Sequence, residues 1–488
     1  MEIVAREGQI KRLCEFLKSN KPEFMAVYGR RRVGKTFLIN QYFQSKECVF
    51  FTVTGIRKGT FKSQREVFCQ RLSEIFFKGL PIEAPATWRK CFNLLQKALN
   101  DLKEISGNDN RKIVLFLDEL PWLNTPRSGL LQALEYFWNQ YWCNDPRVKL
   151  VVCGSLSSWI IKNVIDNTGG LYNRVTYRME IQPFNLREVK QFLDYKKIGL
   201  NERHILSLYM AIGGVPLYLD QVKKGKSADQ VIDELCFSKQ GLLFDEIHEL
   251  FKSLFDYSEI YVALTREIAK HRYGISKTVL RKKFEKLQGG RLNTHLEDLE
   301  NTGYIASFLP YGNKQKGVYY KISDEYTYFY FSWIEPHLQL IKKLREANNF
   351  WTEMVKTPRY AAWKGYAFEA VCMQHLPEIM KALGISSICV PWTWRYVPKN
   401  KKESGAQIDL LFDRPDDVIT LCEIKCTQAP YKLNKSEAEI LKNRIHVFQE
   451  QTQTQKQIFL ALISASGFEP TAYSEEMVAK SVELKDFF

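Results

Sequence analysis

Gly29-Arg30-Arg31-Arg32-Val33-Gly34-Lys35-Thr36 follows the apolar run Phe24 to Tyr28, and an apolar pattern at helical spacing (Phe37, Leu38, Ile39, Tyr42) comes after it. Strand, GxxxxGK[ST] turn and helix, in that order, are the context of a loop that wraps phosphates with consecutive backbone N–H groups. Gly29 and Gly34 supply conformations and close approach that a side chain would block. On this reading the whole stretch Gly29 to Thr36 contacts ATP. Lys35 lies on the β- and γ-phosphates, the Thr36 hydroxyl ligates Mg²⁺, and the helix N-terminus adds its positive end.

A second apolar run, Ile113 to Leu117, ends in Asp118-Glu119. A carboxylate at the tip of a buried strand is poorly placed unless a cation offsets its desolvation, and Mg²⁺ does so. Asp118 is therefore expected to hold the metal through water, and Glu119 to act as the base that orients the attacking water. A third run, Val148 to Cys153, leads to Gly154-Ser155. Ser155 is expected to reach the γ-phosphate or its water, or else to form a turn at the strand end.

A second set of chemical groups lies near the other end of the chain. Gly405-Ala-Gln-Ile-Asp409-Leu-Leu-Phe412 reads as a strand, and Val418-Ile-Thr-Leu-Cys-Glu423-Ile-Lys425 as its neighbour. One residue separates Glu423 from Lys425, so both point to one sheet face, with Asp409 able to converge on them. Two carboxylates that hold Mg²⁺ and a lysine that orients or deprotonates water make a site for phosphodiester hydrolysis. Glu369, in the amphipathic helix Trp363 to His375, could complete the metal shell. The competing reading is a surface salt-bridge ladder of Asp409, Glu423 and Lys425, worth little on its own.

Several elements must position these groups. At about 150 residues per domain, 488 residues give about three domains. We expect a phosphate-binding core over 1–182, a helical lid over 183–250, a winged helix over 251–345 and a further domain over 350–488. The winged helix follows from three short helices and a hairpin with a basic tip. Its candidate recognition helix begins with Arg291, Asn293, Thr294 and His295 but turns acidic at Glu297, Asp298 and Glu300, which phosphate would repel. Arg281, Lys282, Lys283 and Lys286, with Lys314 and Lys316 of the tip, could contact a DNA backbone. DNA contact and internal packing both stay open. The aromatic run Tyr326 to Trp333 has no interleaved basic residue, so it reads as packed interior and not as a stacking platform for bases.

Composition excludes other classes. Hydrophobic residues at 45% and charged residues at 26% suit a globular chain. No apolar run approaches the roughly 18 to 20 residues of a membrane span, and the N-terminus lacks the features of a secretory signal. Eleven cysteines without a CxxC pair read as reduced, mostly buried thiols of a cytoplasmic protein. Lys and Arg exceed Asp and Glu by 70 − 55, or +15, which favours a polyanionic partner such as DNA. Seven scattered histidines give no zinc-hydrolase spacing.

GRRRVGKT, LFLDELPW, VVCGS, Leu171-Tyr-Asn-Arg174 and Gly213-Gly-Val-Pro216 together resemble the archaeal-type AAA+ ATPases, close to the STAND group, over roughly residues 1 to 345. The resemblance implies a five-stranded parallel sheet, a helical lid, Pro216 near the adenine, and Arg174 as an arginine on the γ-phosphate, in cis or from a neighbouring subunit. Glu369, Asp409 and Glu423-x-Lys425 resemble the PD-(D/E)xK nuclease superfamily over roughly 355 to 470, although Ile408 stands where a proline often precedes the aspartate. The fold class expected is α/β: a P-loop parallel-sheet ATPase core with lid, winged helix and a restriction-endonuclease-like C-terminal domain. The function expected is ATP hydrolysis coupled to a metal-dependent nuclease acting on DNA. The alternative is a non-cleaving, nucleotide-gated module that binds DNA or senses a protein partner, with homo-oligomers also open.

Overall fold

The structure, a computed structural model, describes residues 2–105, 111–287, 290–312, 317–343, 349–398 and 405–488. The chain forms two compact units, one ending at Pro183 and one beginning at Phe184. Among the described residues no helix is long and apolar enough to cross a membrane. All eleven cysteines are free thiols.

The first unit is built on strands β1 (Glu23–Tyr28), β2 (Cys48–Thr54), β3 (Lys112–Asp118), β4 (Val148–Gly154) and β5 (Tyr177–Glu180), in the order β2-β3-β4-β1-β5. Every pairing is parallel. All seven residues of β4 are buried, the continuous apolar signature of a strand covered on both faces. Alternation along β1 feeds two cores: Phe24 and Ala26 pack with Phe51, Leu115 and Trp138, whereas Met25 and Val27 pack with Leu38, Ile39 and Phe116. β4 lies between β1 and β3, with Tyr28 beside Gly154 and Leu117 beside Val152. The three strand ends expected to carry phosphate chemistry therefore open onto one edge.

In the second unit, helices Leu186–Tyr195, Glu202–Ile212, Pro216–Leu219, Ala228–Cys236 and Glu246–Leu254 come first. Gly213 has φ 66°, and a side chain on Gly214 would strike the Phe184 carbonyl oxygen at 1.8 Å, so both glycines are required by backbone geometry. Helices Ser258–Ala269, Lys277–Lys283 and Arg291–Asn301 follow with a small antiparallel sheet of β6 (Ile275–Ser276), β7 (Ile305–Phe308) and β8 (Tyr319–Ile322), order β6-β8-β7. In helix Arg291–Asn301, Asp298 accepts from the Tyr261 hydroxyl at 2.7 Å and the His295 ring meets the Tyr261 ring edge-on, centroids 4.6 Å apart. Glu300 accepts from the Ser307 N–H at 2.9 Å. Two of the three acids are thus occupied internally. Lys314, Lys316 and the expected boundary at residue 345 lie outside the described residues. The run Tyr326 to Trp333 is interior: Tyr326, Phe329, Tyr330 and Trp333 are fully buried.

The last part is a mixed sheet of β9 (Val390–Tyr396), β10 (Ala406–Asp413), β11 (Val418–Lys425), β13 (Gln457–Ser464) and β15 (Val478–Glu483), order β15-β13-β11-β10-β9. Strands β9 to β11 are antiparallel, whereas β11, β13 and β15 are parallel. β12 (Tyr431–Lys432) and β14 (Phe468–Glu469) form a separate pair. Helix Pro358–Gln374 packs on β11, and helix Lys435–Thr452 on β10.

His375 ties this part to the first helix of the unit. Its Nδ1–H donates to the Val371 carbonyl at 2.8 Å, and its Nε2 accepts the Leu186 N–H at 3.0 Å. Only the neutral ring can accept that bond, and burial pushes its pKa below the ordinary value. A folded pKa below the unfolded one means the unfolded chain binds the proton first. This contribution is present above about pH 6.5 and is lost as pH falls. Scanning calorimetry is expected to show Tm falling between pH 7.5 and 5.5. His375→Ala should remove about 2 to 4 kcal/mol at neutral pH and flatten that dependence.

Candidate functional site

Helix Lys35–Gln44 starts where β1 ends, with Gly34 at its N-cap at φ 90°. Gly29 holds φ 135°, and a Cβ there would meet the Ile181 carbonyl oxygen at 2.3 Å, so the neighbouring chain leaves no space for a side chain. The Gly29 N–H donates to Ser157 Oγ at 3.1 Å. Lys35 Nζ donates to the Gly29 and Arg30 carbonyls at 2.8 and 2.7 Å, inside the loop itself. Burial lowers the Lys35 pKa, against the pull of Cys153, Glu119 and Asp118. Arg31 lies over the Trp122 ring at 5.5 Å.

Thr36 and Asp118 meet as the spacing requires. Thr36 Oγ1 donates to the Asp118 carboxylate, 3.1 Å from Oδ1 and 3.0 Å from Oδ2, and Thr54 Oγ1 reaches Oδ2 at 3.2 Å. Asp118 is 1% exposed, and burial, then Glu119, raises its pKa against these hydroxyls. Glu119 takes a left-handed backbone, φ 46°, a strain of about 1 kcal/mol for a non-glycine residue. Its carboxylate accepts from the Ser155 N–H at 3.1 Å and from the Ser155 hydroxyl. Ser155 therefore holds Glu119. Arg174 is exposed in the turn before β5, where its N–H bonds the Leu171 carbonyl. Pro216 occupies the first turn of its helix in the second unit. Thr54 and Ser157 were missed from sequence. A hydroxyl closing the apolar run Val49 to Thr54 was the available signal for the first.

Residues 3–222 match a family profile described as an ATPase domain predominantly from Archaea. This stretch is an ATPase domain of that archaeal type. An uncharacterised protein of Methanocaldococcus jannaschii is 27% identical over 384 residues, covering 78% of each chain. Among solved structures, a Walker-type ATPase of Pyrococcus abyssi aligns with TM-score 0.47 at 22% identity, over 67% of this chain and 96% of its own. The ORC2 protein of Aeropyrum pernix, solved in ADPNP-ADP complexes, aligns with TM-score 0.41 at 15% identity, over 70% of this chain and 96% of its own.

Outside the ATPase domain, the C-terminal acids Glu369, Asp409 and Glu423 act on one another but differ in their partners. Glu369 and Asp409 line one cavity of 270 Å³ within the second unit. The register between β9 and β10 shifts between Ile408 and Leu411, beside Asp409. Gln407 Nε2 donates to Asp409 at 2.7 Å. Burial, then Asp409 and Glu423, pushes Glu369 up to about 8, and burial, then Glu423, pushes Asp409 up to about 6. Arg272 and Lys321 act the other way on Glu369, and Gln407, Arg444 and Lys425 on Asp409. Glu423 instead accepts from Arg444 at 2.9 Å and pairs with Lys425 at 2.9 Å. Lys425 also lies 5.4 Å from the Tyr431 ring centroid. Arg444, on helix Lys435–Thr452, carried no sequence signal. Among the described residues no three or more His, Cys, Asp or Glu side chains form a group that could hold a metal ion.

The grip of Ser155 on Glu119 gives a direct test within the ATPase domain. Ser155→Ala keeps the backbone N–H but removes the hydroxyl, and is expected to lower ATP turnover about tenfold while nucleotide affinity stays unchanged. Steady-state hydrolysis beside equilibrium nucleotide titration measures both.

Proposed function

We propose that the chain is an ATP-hydrolysing switch whose nucleotide state governs a metal-dependent phosphodiester-cleaving site acting on DNA. The observation that carries the first half is the meeting of Thr36 and Asp118, with Glu119 fixed beside them by Ser155. A hydroxyl and a carboxylate are hard oxygen donors that suit Mg²⁺, which when bound would offset the charge of the phosphates. Lys35 would exchange its loop carbonyls for the β- and γ-phosphate oxygens. Glu119 would orient the attacking water and accept its proton. Arg174, exposed before β5, is proposed to approach the γ-phosphate of its own copy or of a neighbour in a homo-oligomer.

The second half is supported by Glu369 and Asp409 sharing one cavity, with Glu423 near enough to raise both. These carboxyls would hold the metal, and Lys425 would orient the water once released from Glu423. The middle helices with their three-stranded sheet are read as a winged helix between switch and cleaving site. The division into core, lid, winged helix and C-terminal domain belongs to the same proposal. One observation favours the non-cleaving alternative: Glu423 is already neutralised by Arg444 and Lys425, as in a structural ion-pair ladder.

Purified chain incubated with DNA, Mg²⁺ or Mn²⁺ and ATP separates these readings. We expect cleavage that Asp409→Asn abolishes and that changes when Lys35→Ala removes nucleotide binding. Glu119→Gln should keep nucleotide affinity and lower ATP turnover about a hundredfold or more. Absence of cleavage in every metal and nucleotide condition would favour the binding module.

A further inference from the structure

The cavity of Glu369 and Asp409 has cationic residues in its lining that the hydrolysis reading leaves unused. Lys321, on β8, lines it, and Glu369 and Asp409 are the acidic groups that act on this lysine. Arg272 and Arg395, both exposed, also line it, 4.3 and 4.7 Å from the centroid of the Tyr273 ring. Arg272 lies 4.4 Å from the Tyr366 ring as well. None of the three cations forms an ion pair with a carboxylate among the described residues.

Glu369 and Asp409 offset part of the Lys321 charge, and Arg272 also acts on Glu369, so three cations face two carboxyls and the lining keeps a net positive charge that suits an anion. The two carboxyls in the same cavity are hard oxygen donors that suit a divalent cation. A phosphodiester carrying a divalent metal meets both demands at once, the metal toward the acids and the free phosphate oxygens toward Lys321 and the guanidinium groups. The guanidinium groups lie over the tyrosine rings, and their own flat faces can stack on a base, a contact indifferent to base identity. Size then selects the form of the polymer. A cavity of 270 Å³ is at the small end of ligand sites, which start near 300 Å³. It has room for about one nucleotide, and a double helix whose major groove alone is about 12 Å wide cannot enter.

We propose that Lys321, with Arg272 and Arg395, forms the phosphate-binding half of this site, and that the site takes one unpaired nucleotide at a time from single-stranded DNA. The proposal rests on the phosphodiester-hydrolysis reading above and adds the substrate class and three positioning residues. Lys321 and Arg272 precede residue 350, so the C-terminal segment by itself lacks two of the three cations. An unpaired strand end enters without penalty, whereas an internal base pair must first be opened at a few kcal/mol.

The test uses the full chain at physiological salt, where non-specific backbone binding is weak. A fluorescent single strand and a covalently closed duplex of the same sequence are titrated by anisotropy with Ca²⁺, and cleavage is followed with Mg²⁺ or Mn²⁺. The single strand should bind more tightly than the closed duplex. Lys321→Ala should weaken single-strand binding about tenfold or more, and Lys321→Arg should restore most of it. In cleavage, Lys321→Ala should raise KM more than it lowers kcat. Equal affinity for the closed duplex, or unchanged single-strand affinity in Lys321→Ala, would overturn the proposal. Cleavage that needs Asp409 but ignores Lys321 overturns it while sparing hydrolysis. Lys321-dependent single-strand binding without cleavage supports it and defeats the hydrolysis reading.

Discussion

A carboxylate taken out of water must find a positive or hydrogen-bonding partner, and both candidate sites are organised around that requirement. Asp118 is almost fully buried at the end of β3, and it is tolerable there because the hydroxyls of Thr36 and Thr54 bond its oxygens. Those hydroxyls reach it only because parallel pairing sets Thr54 beside Asp118 and because helix Lys35–Gln44 begins where β1 ends. Sheet order, loop conformation and acid are therefore one arrangement. The same requirement separates the C-terminal acids. Glu423 is ion-paired to Arg444 and Lys425, whereas burial, with Glu423 nearby, pushes up the pKa values of Glu369 and Asp409.

What could be read from sequence follows from how local each determinant is. Apolar runs that end in glycine or acid define parallel strands, and the spacing Gly29 to Thr36 defines a turn whose backbone makes the site. These are short-range, so the strands at Phe24 to Tyr28, Ile113 to Leu117 and Val148 to Cys153 and the turn from Gly29 to Thr36 were legible, whereas the five-stranded parallel sheet was expected from the family resemblance. The burial of Tyr326 to Trp333 was legible too, because the run lacks the basic residues that a nucleic-acid platform needs. The hold of Ser155 on Glu119 was not. Sequence placed the serine at the strand end but could not say whether its hydroxyl points to phosphate or to acid.

The C-terminal region shows where such reading stops. Period-two alternation puts Asp409, Glu423 and Lys425 on one face, and Glu423 and Lys425 do act on Asp409, but it does not show which partners each acid finds. Arg444 lies 21 residues beyond Glu423 and pairs with it across a helix-on-sheet contact that no local pattern encodes. Lys321 read only as part of a hairpin strand. Its place beside Glu369 and Asp409 depends on packing between segments far apart in sequence.

The chain is proposed to carry two hard-cation sites of different make, one completed by nucleotide and one by a pair of carboxyls. Anomalous diffraction from crystals grown with Mn²⁺ and a non-hydrolysable ATP analogue tests it most directly. One Mn²⁺ peak is expected at Thr36 and Asp118 and a second between Glu369 and Asp409, the second vanishing in Asp409→Asn. A single peak at the ATPase domain, with Glu369 and Asp409 empty at saturating Mn²⁺, would contradict it.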